Sequence, residues 1–100
     1  MHYLLMYDYA PDILEKRGPY RDEHLRLAWA AHDRGELVLG GAFLEPTDAG
    51  VLLFTGESPD AALRFAEGDP YVKAGLVTRW RVRTWMTVVG AGAAKPLRPA

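Results

Sequence analysis

The sequence has no cysteine among its 100 residues. That absence excludes disulfides, thiolate metal sites and a cysteine nucleophile. A small fold built without disulfides fits a reducing compartment, so a cytoplasmic location is expected. Long apolar runs are missing as well. The stretch MHYLLMYDYA is too short to cross a bilayer, and it has neither the basic flank nor the cleavage pattern of a signal peptide. No membrane association is therefore expected. An excess of one charge is also lacking: 12 Lys and Arg stand against 13 Asp and Glu, for a net charge of −1. Such a balance exerts no general pull on nucleic acid or an anionic surface. No Gly-rich phosphate loop, Walker pattern or nucleophile elbow occurs.

What is present suits one globular domain. The apolar fraction is 49% and the charged fraction 25%, both ordinary for a folded chain. A chain of this size buries only about two-thirds of the surface its unfolded form exposes, so a single thin core is expected. Residues 2–9 alternate as a strand, with Tyr3, Leu5, Tyr7 and Tyr9 on one side and Leu4 and Met6 on the other. Pro11 ends it. Asp12 and Glu15 have capping-box spacing, which predicts a short helical turn over 12–17. Gly18-Pro19 starts a longer helix that runs to about Arg34, with Leu25, Leu27, Ala28, Ala31 and His32 on its apolar stripe and Gly35 as its stop.

Residues 36–43 read as a second strand, and Gly40-Gly41 inside it suggests a bulge or a close approach by a ligand or another backbone. Residues 51–55 are a third strand. Ser58-Pro59 predicts the start of a second main helix, with Ser58 as N-cap, and Gly68 ends it. Asp69-Pro70 opens a further turn, and a last strand is expected over 76–89. In that strand Leu76, Trp80, Val82 and Met86 would face one way, and Val77, Arg79, Arg81, Arg83, Trp85 and Val89 the other. Residues 1–89 thus form the domain, and the Gly/Ala/Pro-rich 90–100 a flexible tail. The order β-α-β, β-α-β predicts an α+β fold of ferredoxin-like βαββαβ type, a four-stranded antiparallel sheet with two main helices on one face.

Few residues stand out for chemistry. His24 lies near the start of the long helix, and an imidazole can give or take a proton near neutral pH. A lone histidine is weak evidence, and from the residues alone the plain reading, a solvated or capping side chain, leads. His32 lies two turns further on, too distant to share a metal ion with His24, and no metal site is expected. Asp69 reads first as an N-cap and second as a carboxylate that orients a histidine. Arg79, Arg81 and Arg83 form a stripe that could be solvated, edge-protecting or an anion site, and the solvated reading leads. Nucleic-acid contact through that stripe, with Trp85 and Tyr7 as stacking partners, is opposed by the balanced charge.

Several segments taken together resemble the YciI-like (YCII-related) family of small dimeric α+β-barrel proteins over about residues 1–89. They are Tyr3-Leu4-Leu5-Met6-Tyr7, Leu14-Glu15-Lys16-Arg17, Arg21-Asp22-Glu23-His24-Leu25, His32-Asp33-Arg34-Gly35-Glu36-Leu37, Gly40-Gly41 and Asp69-Pro70-Tyr71-Val72-Lys73-Ala74-Gly75-Leu76. The Arg-x-x-His-Leu motif and the Asp-Pro-Tyr-Val-x-Ala-Gly motif carry most of the specificity. The resemblance implies a histidine–aspartate active site at His24 and Asp69. It also implies an anion-holding role for Arg17 and Arg21, which by charge alone would equally pair with Glu15 and Asp12. The family includes an enzyme that eliminates chloride from a chlorinated hydroxyquinol, and its fold is shared with muconolactone isomerases. One departure from the family pattern is Ala42 after Gly41, where proline is frequent, which alters the pocket wall beside Gly41.

Two functions remain open at this level. One is a cofactor-independent enzyme of lyase or isomerase type acting on a small aromatic or anionic substrate, with His24 and Asp69 as its dyad and Tyr7, Phe43, Tyr71 and Trp80 lining the cleft. The other is a non-catalytic ligand-binding or interaction module. Both predict a homodimer, since the two main helices cover only one face of the sheet and an exposed apolar sheet face is rare in monomers. The long last strand folding over, or the tail covering that face, is the monomeric alternative. Light scattering coupled to size exclusion should give twice the chain mass, and a monomer at micromolar concentration overturns the dimer.

Overall fold

A computed structural model describes residues 1–100. Strand β1 spans His2–Tyr9, followed by the single helical turn α1 (Ile13–Lys16) and the long helix α2 (Gly18–Asp33). Strands β2 (Leu37–Ala42) and β3 (Ala49–Thr55) form a hairpin. Helix α3 (Asp60–Gly68), the turn α4 (Pro70–Lys73) and strand β4 (Val77–Trp85) complete the chain. The sheet order is β2-β3-β1-β4, and every neighbouring pair is antiparallel. This is the α+β, ferredoxin-like arrangement expected from the element order.

Alternation along the central strands decides which face is covered. Tyr3, Leu5 and Tyr7 on β1 stand opposite Phe54, Leu52 and Gly50 on β3. All but the glycine join Ala62, Phe65 and Ala66 of α3 and Ala31 of α2 in one buried cluster. The opposite face, with Leu4, Met6, Val51 and Leu53, is half-buried and carries no helix. No helix is long and apolar enough to cross a membrane.

Several local expectations are corrected by register. Strand β4 ends at Trp85 rather than 89, because its partner His2 is where β1 begins and nothing beyond offers a ladder. A bulge pairs Asp8 with Arg79 but Tyr9 with Val77, leaving Thr78 extra on β4. One extra residue reverses the alternation. Val77 therefore turns into the core, at 6% exposure, instead of joining the arginine face. Leu76 is buried but lies before the strand. The bulge suggested by Gly40-Gly41 falls earlier, between Leu37 and Leu39.

The helix ends show similar small departures. Asp12 makes no side-chain cap bond, so the capping box with Glu15 is not formed. Helix α3 starts at Asp60, with Pro59 at the cap, and the Ser58 hydroxyl still accepts from the Asp60 N–H at 3.3 Å. Gly35 stops α2 in the left-handed conformation, φ +81°, that favours glycine. After β4 the chain turns back on itself. The Ala94 N–H donates to Thr87 Oγ1 at 2.8 Å and the Leu97 N–H to the Val88 carbonyl at 2.9 Å, while His2 Nδ1 lies 2.6 Å from the same Thr87 oxygen.

The core is thin enough that one deletion should be felt. Leu5 is fully buried at the sheet centre, so Leu5→Ala should cost about 2–5 kcal/mol. Leu97→Ala, at an exposed site, should stay within about 0.5 kcal/mol. Urea unfolding of both variants checks this, and equal midpoints would contradict the assigned core.

Candidate functional site

The site is organised by a backbone junction. Proline disfavours a helical conformation in the residue before it, and Asp69, before Pro70, is accordingly extended at φ −71°, ψ 124°. Helix α3 ends there and α4 begins. The extended residue turns its carboxylate over the first turn of α4, where Oδ1 accepts the Tyr71 N–H at 3.0 Å. The capping role read from the sequence is thus present. It is only one of three contacts on a side chain with no solvent exposure. The Tyr7 hydroxyl donates to Oδ2 at 2.7 Å, and His24 Nδ1 lies 2.9 Å from each oxygen.

These contacts fix the histidine chemically. An ionised carboxylate can only accept, so Nδ1 of His24 carries the proton and donates it to Asp69. Nε2 is then the nitrogen left for the cleft. The ring plane is fixed as well. Tyr71 stacks on it with centroids 4.0 Å apart and planes 7° apart, and Phe65 meets it edge-on at 6.1 Å. Helix α2 supplies the imidazole, the α3–α4 junction the carboxylate, and β1 the phenol. The arrangement can hold a neutral imidazole in one tautomer and stabilise its protonated form, the requirement for a general base or acid.

His24 opens onto a cleft of about 470 Å³ between α2 and β2. One part of the lining is polar: Arg17 and Arg21, with Tyr9 and Tyr71 beside His24. The remainder is mostly apolar, from Leu25 and Trp29 on α2 to Leu39 and Gly41 on β2. Arg17 and Arg21 form no ion pair, so the pairing with Glu15 and Asp12 open from charge alone does not occur. Gly41 lies in the wall with nothing within 4 Å of where a Cβ would stand, and Ala42 lies next to it.

Three expected ligand contacts are placed elsewhere. Tyr7 is 1% exposed and its hydroxyl is committed to Asp69, so it supports the dyad from below. Trp80 pairs with Tyr7 across β1 and β4, outside the cleft. Phe43 is exposed beyond the end of β2 and also outside it. Tyr71 does line the cleft, chiefly as the platform under His24. Sequence reasoning missed the apolar lining from α2 and β2, Trp29 and Leu39 among it, and the polar side chains Tyr9 and His32. His32 Nδ1 donates to the Leu37 carbonyl at 2.9 Å, and Trp29 packs edge-on against its ring. Its position two turns from His24 on one stripe was the available signal.

Burial and the neighbouring carboxylate push the Tyr7 phenol far above its usual range. Burial first raises Tyr9 to about 12, an effect partly offset by Arg17 and Arg21. Tyr71 is raised by burial as well. All three are therefore neutral donors at physiological pH.

Comparison with known proteins places this architecture. A family model described as the YCII-related domain matches residues 1–86. The protein YciI of Escherichia coli O6:H1 is 34% identical over 97 residues, covering 88% of this chain and 99% of that protein. YciI of Shigella flexneri matches to the same extent. Among solved structures, 5-chloro-2-hydroxyhydroquinone dehydrochlorinase from Burkholderia phenoliruptrix, in complex with 2,5-dihydroxybenzoquinone, superposes with a TM-score of 0.73. It is 25% identical, and the match covers 87% of this chain and 95% of that one.

The shared carboxylate sets a stability expectation. Tyr7→Phe removes one donor from a buried anion and should cost about 1–3 kcal/mol. Asp69→Ala strands three buried donors and should cost about 3–5 kcal/mol, as when one partner of a buried pair is removed. The raised phenols stabilise the fold below pH 10, their unfolded value, and that contribution is lost as pH rises above it. Tyr7→Phe should accordingly flatten the alkaline limb of a stability–pH curve. Urea titrations from pH 7 to 11 test both points, and a Tyr7→Phe variant as stable as the parent would show that the bond contributes nothing.

Proposed function

Because this chain belongs to the YCII-related family, we propose that it is a small-molecule enzyme whose His24–Asp69 dyad moves a proton on a small aromatic or anionic substrate. The observation that carries the proposal is the 2.9 Å contact between His24 Nδ1 and a fully buried carboxylate, at the wall of an apolar cleft with a cationic end. The cleft volume lies within the usual range for small-molecule sites.

The chemistry is acid–base. Nε2 of His24 takes a proton from an acidic O–H or C–H of the substrate. The electron pair left behind either expels a leaving anion or moves along the conjugated system to a carbon that the imidazolium then protonates. The first course is a lyase or dehydrochlorinase reaction and the second an isomerisation. Asp69 holds the tautomer and offsets the positive charge that develops on the ring. Arg17 and Arg21 hold the anionic group, and the apolar wall takes the ring or chain. Proton transfer by this pair needs no cofactor. The dehydrochlorinase neighbour, which binds a dihydroxybenzoquinone, supports an oxygenated ring as a first class to try. The reading includes a cytoplasmic homodimer whose subunits pair through the uncovered sheet face, where Leu4, Met6, Val51 and Leu53 lie.

A second reading is favoured by the same carboxylate. Asp69 is buried, caps α4 and holds three donors, which is what a structural residue in a non-catalytic binding protein would do. Its instability on substitution therefore does not separate the readings, whereas His24 does. Chlorinated hydroxyquinols and unsaturated lactones are assayed for chloride release and isomerisation with the parent and His24→Ala. The enzyme reading expects turnover to fall by about 10²–10⁴-fold in the variant. Turnover that is unchanged in His24→Ala rejects the dyad as the catalyst, and binding without turnover across the panel favours the second reading.

A further inference from the structure

Tyr9 is the unexplained group at the polar end of the cleft. It lies at the end of β1, where the bulge opposite Thr78 changes the alternation. Its ring is packed edge-on to Tyr7 at 6.3 Å. The hydroxyl is seated against Gly50 on β3. A Cβ at position 50 would lie 2.3 Å from the Tyr9 oxygen and 2.9 Å from the ring carbon bearing it. No real side chain tolerates such a contact, so glycine at 50 is what allows the hydroxyl to sit there.

The surroundings of that hydroxyl differ from those of its neighbour. Tyr7 spends its proton on Asp69. The Tyr9 hydroxyl has no hydrogen-bond partner in the chain, although the side chain is half-buried and lines the cleft with Arg17, Arg21 and His24. No fully buried side-chain donor is left unsatisfied, so the Tyr9 hydroxyl is open to the cleft and free to donate to whatever occupies it, water or a bound molecule. The two guanidiniums nearby are free of carboxylates. The three groups are all donors, so the atom they suit is an oxygen acceptor carrying negative charge.

We propose that Tyr9 is a ligand-contacting residue whose hydroxyl, together with Arg17 and Arg21, receives a phenolate, enolate or carboxylate oxygen of the bound molecule. This rests on the reading of the cleft as a small-molecule site, and it specifies which end of the molecule is recognised. A phenol kept neutral at physiological pH, as Tyr9 is, donates to such an oxygen without adding a competing negative charge. Tyr9 determines which oxygenated ligands fit, whereas His24 acts on their protons.

The test uses the full chain and 2,5-dihydroxybenzoquinone and salicylate as probes, with dissociation constants from calorimetric titration and melting temperatures of the free proteins. Tyr9→Phe removes only the oxygen, so the free protein should melt within a degree or two of the parent. Its affinity for at least one probe should fall about tenfold, the scale of one hydrogen bond to a charged acceptor. Leu97→Ala, an exposed position outside the cleft lining, reports any general effect of substitution. Gly50→Ala should weaken the same probe by displacing the ring. Unchanged affinity in both Tyr9→Phe and Gly50→Ala overturns the role of Tyr9 and leaves the cleft reading standing. A Tyr9→Phe variant that melts far below the parent with unchanged affinity assigns the hydroxyl to structure and overturns it too. Failure of the parent to bind either probe counts against the cleft as an oxyanion site, and the role of Tyr9 falls with it.

Discussion

The burial of one ionised carboxylate organises this molecule. A charge without solvent around it is tolerated only if its lone pairs are occupied. Asp69 meets that condition with donors from three separate elements: the phenol of β1, the imidazole of α2 and a backbone N–H of α4. The requirement fixes the position of α2 against the sheet and of α4 against α3. It also fixes the His24 ring, since satisfying the carboxylate and orienting the imidazole are the same contact. The stacked Tyr71 follows from the cap itself, because the residue whose N–H is capped is the one whose ring lies under His24.

Much of the fold was legible because it depends on local pattern. The alternation of β1, the glycine after α2 and the terminator at Gly68 each act within a few residues, and the element order follows from them. The site was legible for a different reason. Nothing local joins His24 to Asp69, which are 45 residues apart in the chain. Only the family resemblance carried by the two motifs together pointed to the pair. What stayed hidden depends on register. The bulge at Thr78 turns Val77 inward, and no composition rule marks it. Tyr7 and Tyr9 share a strand face and look equivalent in sequence, yet one hydroxyl is committed to a carboxylate and the other is left unbonded. Trp80, on the covered face like Tyr7, is separated from the cleft by Tyr7 itself. The cleft lies between α2 and an edge strand, a pairing that periodicity does not locate.

The two faces of the sheet carry different burdens. The helix face closes the core and builds the site. The other face keeps half-buried aliphatic residues on β1 and β3 without any element over them, and the arginines of β4 flank them. Asp8 approaches Arg81 there only at 3.9 Å. The site does not draw on that second face: its contacts come from Tyr7, His24 and the Tyr71 N–H on the helix side.

The edge strand β2 carries a consequence of its own. Beyond Leu37 every residue of β2 is exposed, and several of them line the cleft, while the dyad is held by α2, β1 and the α3–α4 junction. The β2 side of the cleft is therefore carried by a strand that makes no contact with the buried carboxylate, whereas its α2 side shares a helix with His24. Substitutions along residues 38–42 would change the cavity from the β2 side, at exposed positions that make no contact with the buried carboxylate. For protein engineering this chain offers a fully bonded imidazole–carboxylate pair beside a cavity whose second side lies on a different strand, a partition that lets the cavity's shape drift along that strand alone.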